Sequence, residues 1–207
     1  MFKLGRFSLI FFNCFQMNNS CYSEGEKMSL LDPSIEYYVL NEKSWKFGGG
    51  DIHNTQGEKI GVMRRKLISM RAEIRFLNAD ESEVCFINKK LLSARPIYDV
   101  KTPDGELIGR GKRPMIAFRG SIDMYDADDN MIYKAQGGVT KWNFVITDPK
   151  DKKKVYAEIK KADRWRDVFA PMFNFKDQYV IHVLDPNAPR LMLLAYAIII
   201  DNVYHDK

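Results

Sequence analysis

The side chains able to act as nucleophiles, bases or metal ligands are few and scattered in this chain. Histidines occur only at His53, His182 and His205, and none has a cysteine or second histidine at metal-ligand spacing. Cys14 and Cys21 lie in a poorly patterned N-terminal stretch and Cys85 stands alone, so the three cysteines form neither a zinc site nor a disulfide framework. Asp126, Asp128 and Asn130 copy the opening of a calcium loop. Met131 then stands where that loop needs glycine, and Gly137 where it needs a bidentate glutamate, which leaves an acidic hairpin turn. The glycines at 48–50 and the run Gly109, Arg110, Gly111, Lys112 lack the spacing and following helix of a phosphate loop. His182 alternates within an apolar run and reads as a core or rim histidine. The expectation is a non-enzymatic protein with no cofactor and no metal.

What remains is basic. Between Lys150 and Arg166 eight positive residues face Asp151, Glu158 and Asp163, a net of plus five that equals the excess of the whole chain, 32 Lys and Arg over 27 Asp and Glu. Lys152, Lys153 and Lys154 fall at a hairpin tip, and Lys160 points outward on the following strand. Lys161, Arg164 and Arg166 lie near its far end beside Trp165. Cations next to an aromatic suit anionic phospholipid headgroups, each contributing about 1 kcal/mol near an acidic membrane. These seven are the candidate headgroup-binding residues; the plainer reading is a surface charged for solubility. Arg64, Arg65, Lys66 and Arg110, Lys112, Arg113 form secondary clusters. Nucleic acid is not the expected partner, because the bulk charge is mild and no groove-reading helix is evident.

The elements that must carry these residues repeat one plan: an apolar run, a turn rich in Asp, Asn, Gly or Pro, and a second run. Ile74 and Phe76 turn through Asn78 to Glu81 into Val84 and Phe86. Tyr98 and Val100 turn through Pro103, Asp104 and Gly105 into Leu107 and Ile108, and Ile122 and Met124 reach Ile132 and Tyr133 across 126–130. Ile52 with Ile60, and Phe144 and Ile146 with Ala157 and Ile159, complete the same pattern, and Tyr179, Ile181 and Val183 begin a sixth unit that turns at Asp185, Pro186 and Asn187. Six such units predict a large antiparallel sheet, closed as a barrel or folded as a two-sheet sandwich.

After Pro189, ten apolar residues run from Leu191 to Ile200 and meet Asp201. Read as a helix stopping at Asp201, this segment is about 15 Å long, too short for a bilayer core of about 30 Å, so it belongs inside protein. Its isoleucines also fit a buried strand. At the other end, Lys3 and Arg6 precede Phe7 to Phe12 in imitation of a signal peptide, but the run is short and no small-residue cleavage pattern follows. Residues 1–27 read as a disordered tail or an extension ahead of a start at Met28, and 28–207 as one domain. Cys14 among phenylalanines could carry one acyl chain, a marginal anchor by itself.

Six hairpin units ending in Leu191 to Asp201, the opening Tyr37, Tyr38, Val39 with Lys43, Ser44 and Trp45, and the turn Asp104, Gly105, Glu106, Leu107 resemble the LURP-one-related family. That family shares the tubby-like fold with tubby C-terminal domains and phospholipid scramblases. The resemblance covers Ser34 to Lys207 and implies a mainly β fold: a twelve-stranded antiparallel β-barrel around a central hydrophobic C-terminal α-helix. It also implies a binding module, cytoplasmic and peripheral to a membrane, that takes anionic or phosphoinositide headgroups as tubby domains do. A protein-interaction scaffold of the same fold is the alternative. A scramblase-like protein is the more remote one, since the proline-rich region and cysteine cluster of scramblases have no counterpart here.

Overall fold

Asn54, Asn78, Thr102 and Asp126 stand 24 residues apart, and each opens a five-residue turn of one geometry. The opening amide donates to the carbonyl of the fifth residue, and the amide of the fourth returns to the opening carbonyl (Asn54 with Glu58 and Gly57, Asn78 with Ser82 and Glu81, Thr102 with Glu106 and Gly105, Asp126 with Asn130 and Asp129). The fourth residue is left-handed in all of them, with φ of 83° at Gly57, 70° at Glu81, 94° at Gly105 and 67° at Asp129. Such a turn adds a bulge, and the strand register shifts at Ile52/His53, Phe76/Leu77, Val100/Lys101 and Met124/Tyr125. A bulge at each hairpin bends the sheet the same way every time, which is how a sheet curls until it closes.

The computed structural model describes residues 29–41, 49–66, 73–90, 92–114, 121–138, 143–161 and 178–205. Twelve strands follow in order: β1 Tyr37–Asn41, β2 Gly49–His53, β3 Lys59–Lys66, β4 Glu73–Asn78, β5 Glu83–Lys89, β6 Ile97–Lys101, β7 Leu107–Lys112, β8 Ile122–Asp126, β9 Met131–Gly138, β10 Asn143–Thr147, β11 Val155–Lys161 and β12 Gln178–Val183. Each pairs antiparallel with its sequence neighbours, and β1 closes on β12 through Tyr37↔His182 to Asn41↔Gln178. The sheet is a closed barrel, which removes the sandwich alternative. The sixth sequence unit is not a hairpin of its own, because the turn after β12 leads into the helix and β12 takes β1 as its second partner. Lys43, Ser44 and Trp45, which carry part of the family resemblance, lie outside the described residues.

The helix, α1, is Arg190–His205, and from Leu193 to Ile200 no side chain is more than 1% exposed. It is apolar on every face because every face meets the inward side chains of the barrel, Leu40, Ile52, Phe76, Val100, Met124, Phe144, Ile159 and Ile181 among them. Gly109 and Gly111 on β7 are where the helix comes nearest the wall. A Cβ on Gly109 would lie 2.4 Å from the Met192 methyl and 2.6 Å from the Tyr125 carbonyl oxygen, and one on Gly111 would lie 2.7 Å from Ile199. Tyr196 fastens the helix to the adjoining strands β8 and β9. Its hydroxyl donates to the Ile122 carbonyl and accepts from the Ala135 amide at 2.6 Å, between two paired strands.

The helix does not stop at Asp201. It continues to His205 because Asn202, buried at the barrel mouth, donates to the Ile198 carbonyl at 2.9 Å and accepts from Arg65 at 2.8 Å, so polar residues prolong it where the apolar wall ends. At its start Pro189 supplies the first carbonyl, accepting from Met192 and Leu193. Arg190 is buried there and gives its guanidinium to the carbonyls of Pro33, Ile35 and Ala188 at 2.6, 3.1 and 2.8 Å, binding the helix to the lead-in of β1. No helix among the described residues is long and apolar enough to cross a membrane.

Candidate functional site

Antiparallel closure sorts every connection to one of two ends. The turns at 54–58, 78–82, 102–106, 126–130 and 148–154 share one end with the lead-in 29–36 and the passage 184–189 into α1. The strand ends at the other side are joined through segments that lie wholly or partly outside the described residues. The sequence-predicted cluster is divided by this geometry. Lys152, Lys153 and Lys154 sit on the β10–β11 turn, whereas Lys160 and Lys161 close β11 at the opposite end, about 20 Å away along the strand. Arg164, Trp165 and Arg166 lie outside the described residues.

Charge divides in the same way. Taking the two strand residues nearest each end with the described connections, and leaving the helix aside, the turn end holds fourteen carboxylates against six lysines. At the opposite rim two carboxylates, Glu73 and Asp123, face nine bases: Arg65, Lys66, Lys89, Lys90, Arg95, Lys112, Arg113, Lys160 and Lys161. The triple lysine of the turn is therefore a basic tip on an acidic end.

The acidity of the turn end has a local cause. Asp32 accepts the Ser34 amide at 2.8 Å, Asp126 the Asn130 amide at 2.8 Å, Asp148 the amides of Lys150 and Asp151 at 2.7 and 3.0 Å, and Asp185 the Asn187 amide at 2.9 Å. A short carboxylate satisfies turn amides that the ladder leaves over. Hydrogen bonds from Ser34 and Asn130 hold Asp32 and Asp126 below the ordinary carboxylate range, and turn amides do the same for Asp148.

The basic rim shows no such turn chemistry. Arg65 reaches Asn202, Lys160 pairs with its strand neighbour Glu158, Lys90 stands 3.5 Å from Asp99, and Lys112 leans back over the Tyr125 ring toward Asp129. Arg95 donates to the Arg113 carbonyl at 3.4 Å. Asp123 is buried among these cations; burial pushes its carboxyl up, while Lys134 and Arg95 pull it down. Leu92 projects fully into solvent from the same rim. Of the secondary clusters, Arg64 is paired with Glu81 at 2.6 Å and Arg110 with Asp99 at 2.6 Å, so neither offers an uncommitted cation.

The candidates for chemistry, His182 and Cys85, lie on different strands. His182 faces outward on β12, stacked on Tyr37 with ring centroids 4.3 Å apart, and burial lowers its pKa against the pull of Glu158 and Glu36. Cys85 is buried on β5, where burial pushes its thiol up to about 12, far from a nucleophilic thiolate. Among the described residues no three of His, Cys, Asp and Glu are grouped to hold a metal ion.

Sequence reasoning found six of these nine bases in three unconnected clusters and missed Lys89, Lys90 and Arg95, because the rim draws them from separate strands and loops. A signal for them exists all the same: Arg65, Lys89, Arg113 and Lys161 share one phase of the 24-residue repeat that places the turns.

A closed twelve-stranded antiparallel barrel filled by its own C-terminal helix is a tubby-like barrel. The chain belongs to the LURP-one-related family, whose sequence profile matches residues 37–201. An X-ray structure of an Arabidopsis thaliana protein has the same fold, with a TM-score of 0.58 and 12% identity over 84% of this chain and 97% of the other. No curated protein matches the sequence.

Proposed function

We propose that the domain is a non-enzymatic module that docks peripherally on an anionic phospholipid surface through its basic rim. The observation that carries this reading is the nine-to-two excess of bases among the described residues at one end of the barrel, which turn chemistry does not explain. Each exposed base contributes about 1 kcal/mol beside acidic lipid. Apart from Asp129, which draws Lys112 back along the wall, the acidic turns do not cancel this, because strands of five to eight residues hold them about 17–26 Å from the rim, beyond a Debye length of about 8 Å. Presented the other way round, the barrel would meet the membrane with its carboxylates and be repelled. The rim is thus the docking end, with Lys160 and Lys161 from the sequence-predicted set and Leu92 as an apolar side chain free to enter the interface. The Lys152–Lys154 tip plays a lesser part.

Sedimentation with vesicles of neutral lipid, of neutral lipid with phosphatidylserine, and of neutral lipid with a phosphoinositide tests the reading. Binding to both acidic vesicles and not to the neutral one is expected, weakening as salt rises. A protein that stays in the supernatant with all three overturns it, and preference for the phosphoinositide at equal charge would identify a headgroup site within the rim.

A further inference from the structure

A second surface lies at the turn end, where a cleft of about 420 Å³ opens between the β10–β11 turn, the start of β9 and the passage into α1. Its floor is aromatic. Tyr156 packs edge-on against Tyr133 with ring centroids 4.8 Å apart, and Tyr133 lies in turn over Tyr196 of the helix. Two carboxylates flank the Tyr156 ring: Asp148, which accepts the Tyr156 hydroxyl at 3.0 Å, and Asp185.

An aromatic face between two carboxylates is a receptor for a cation, and one is already there. Lys154 holds its ammonium 4.8 Å from the centre of the Tyr156 ring and 3.8 Å from Asp185 Oδ2. That separation is too long for a hydrogen bond, and the Lys154 side chain is 52% exposed. The lysine occupies the cage with its ammonium also beside the Tyr156 hydroxyl, while about half of its side chain stays in solvent. Met131 and Leu184, two of the exposed large apolar residues, stand at 38% and 44% exposure beside the cleft, with Pro149 and Pro189 in its wall.

We propose that this cleft receives one lysine or arginine side chain from a partner protein, with Lys154 as its internal stand-in. The ring and carboxylates take the charge. The prolines and Met131 take the aliphatic stem and an apolar neighbour on the partner. Lys150, which also lines the cleft, opposes a run of cations and limits the site to a single one. The inference concerns the end opposite the basic rim and does not depend on membrane docking.

Amide chemical-shift titration of the whole chain with Nα-acetyl-lysine N-methylamide, its arginine counterpart and its uncharged norleucine counterpart tests it. The two cationic probes should shift the amides of Asp148, Lys150, Asp151, Asp185, Asn187 and Ala188, and the norleucine probe should not. Asp185→Asn and Tyr156→Leu should each weaken the cationic probes threefold or more. Lys154→Met, which keeps the stem and removes the competing charge, should tighten them at least threefold. Equal or weaker binding by Lys154→Met, matching shifts from the norleucine probe, or no shift with any probe up to its solubility would each overturn the inference. Vesicle sedimentation of Asp185→Asn and Tyr156→Leu, neither of which removes a base, should be unchanged, which separates failure of this site from failure of the rim.

Discussion

The two ends of the barrel carry opposite charge for different reasons. At the turn end the carboxylates close loops, as Asp126 does for Asn130 and Asp148 for Lys150, and their negative charge is a by-product of backbone hydrogen bonding. At the rim the cations close nothing comparable, and several, such as Lys66 and Lys89, come from strands whose folding does not require them there. A charge that the fold explains carries little functional information, and one that the fold does not explain carries more. By that standard the basic run Lys152 to Lys154 is less informative than bases dispersed over four strands and the loops beside them.

The strongest test of this contrast exchanges the charge of the rim. Replacing Arg65, Lys66, Lys89 and Lys90 by glutamate should remove at least about 4 kcal/mol of attraction to acidic vesicles, roughly a thousandfold in partitioning, at about 1 kcal/mol per lost base. Replacing Lys152, Lys153 and Lys154 by alanine should change sedimentation by only a few-fold. Equal losses from the two variants would abolish the distinction between the ends.

Next in size is the spine that holds the ends apart. Gly109→Ala brings a methyl against both Met192 and the Tyr125 carbonyl and should cost about 1–3 kcal/mol in denaturant unfolding. The same change at Gly105, whose surroundings are open but whose φ is 94°, should cost less, about 1 kcal/mol.

Acid should separate the ends further. The folded pKa values of Asp32, Asp126 and Asp148 lie below the unfolded value of 3.8, so their contribution is present above that value and is lost as pH falls through their folded values. Asp123 at the rim has its pKa raised by burial, so its contribution is present below 3.8 and is lost as pH rises through its folded value. Carboxyl-carbon NMR titration should find the turn aspartates titrating below 3.8 and Asp123 above it. Asp123→Asn should flatten the second dependence and leave the first. The smallest expected effect is at Glu81, left-handed with φ of 70°: Glu81→Gly should stabilise by up to about 1 kcal/mol, the surface pair with Arg64 being worth less than the strain relieved.

The hairpins and the buried C-terminal segment were legible because both leave one-dimensional signals, whereas closure into a barrel around a helix came from the family resemblance. Asp, Asn and Gly mark each turn, and Leu191 to Ile200 is apolar on all sides. The extent of α1 past Asp201 was not legible, because Asn202 is made a good helix residue by Arg65, 137 positions away. The site was half legible for a related reason. Linear clustering finds charges that neighbour one another along the chain, whereas a barrel end gathers residues one hairpin apart. Lys154 shows the same limit, since its partner Asp185 lies across the β11–β12 crossing.

The helix that fills the barrel follows all twelve strands in the chain, and β1 meets its closing partner β12 only across some 140 residues. The wall is therefore synthesised before there is anything for it to enclose, and no early hairpin can bury its inward face against its final neighbour. Long-range closure of this kind is slow and leaves apolar strand faces open to aggregation in the meantime. A chain interrupted before Arg190 would hold every strand and no core. Assembly is thus an all-or-none event decided by the last helix, which makes loss of that segment a sharper failure than any single substitution in the wall.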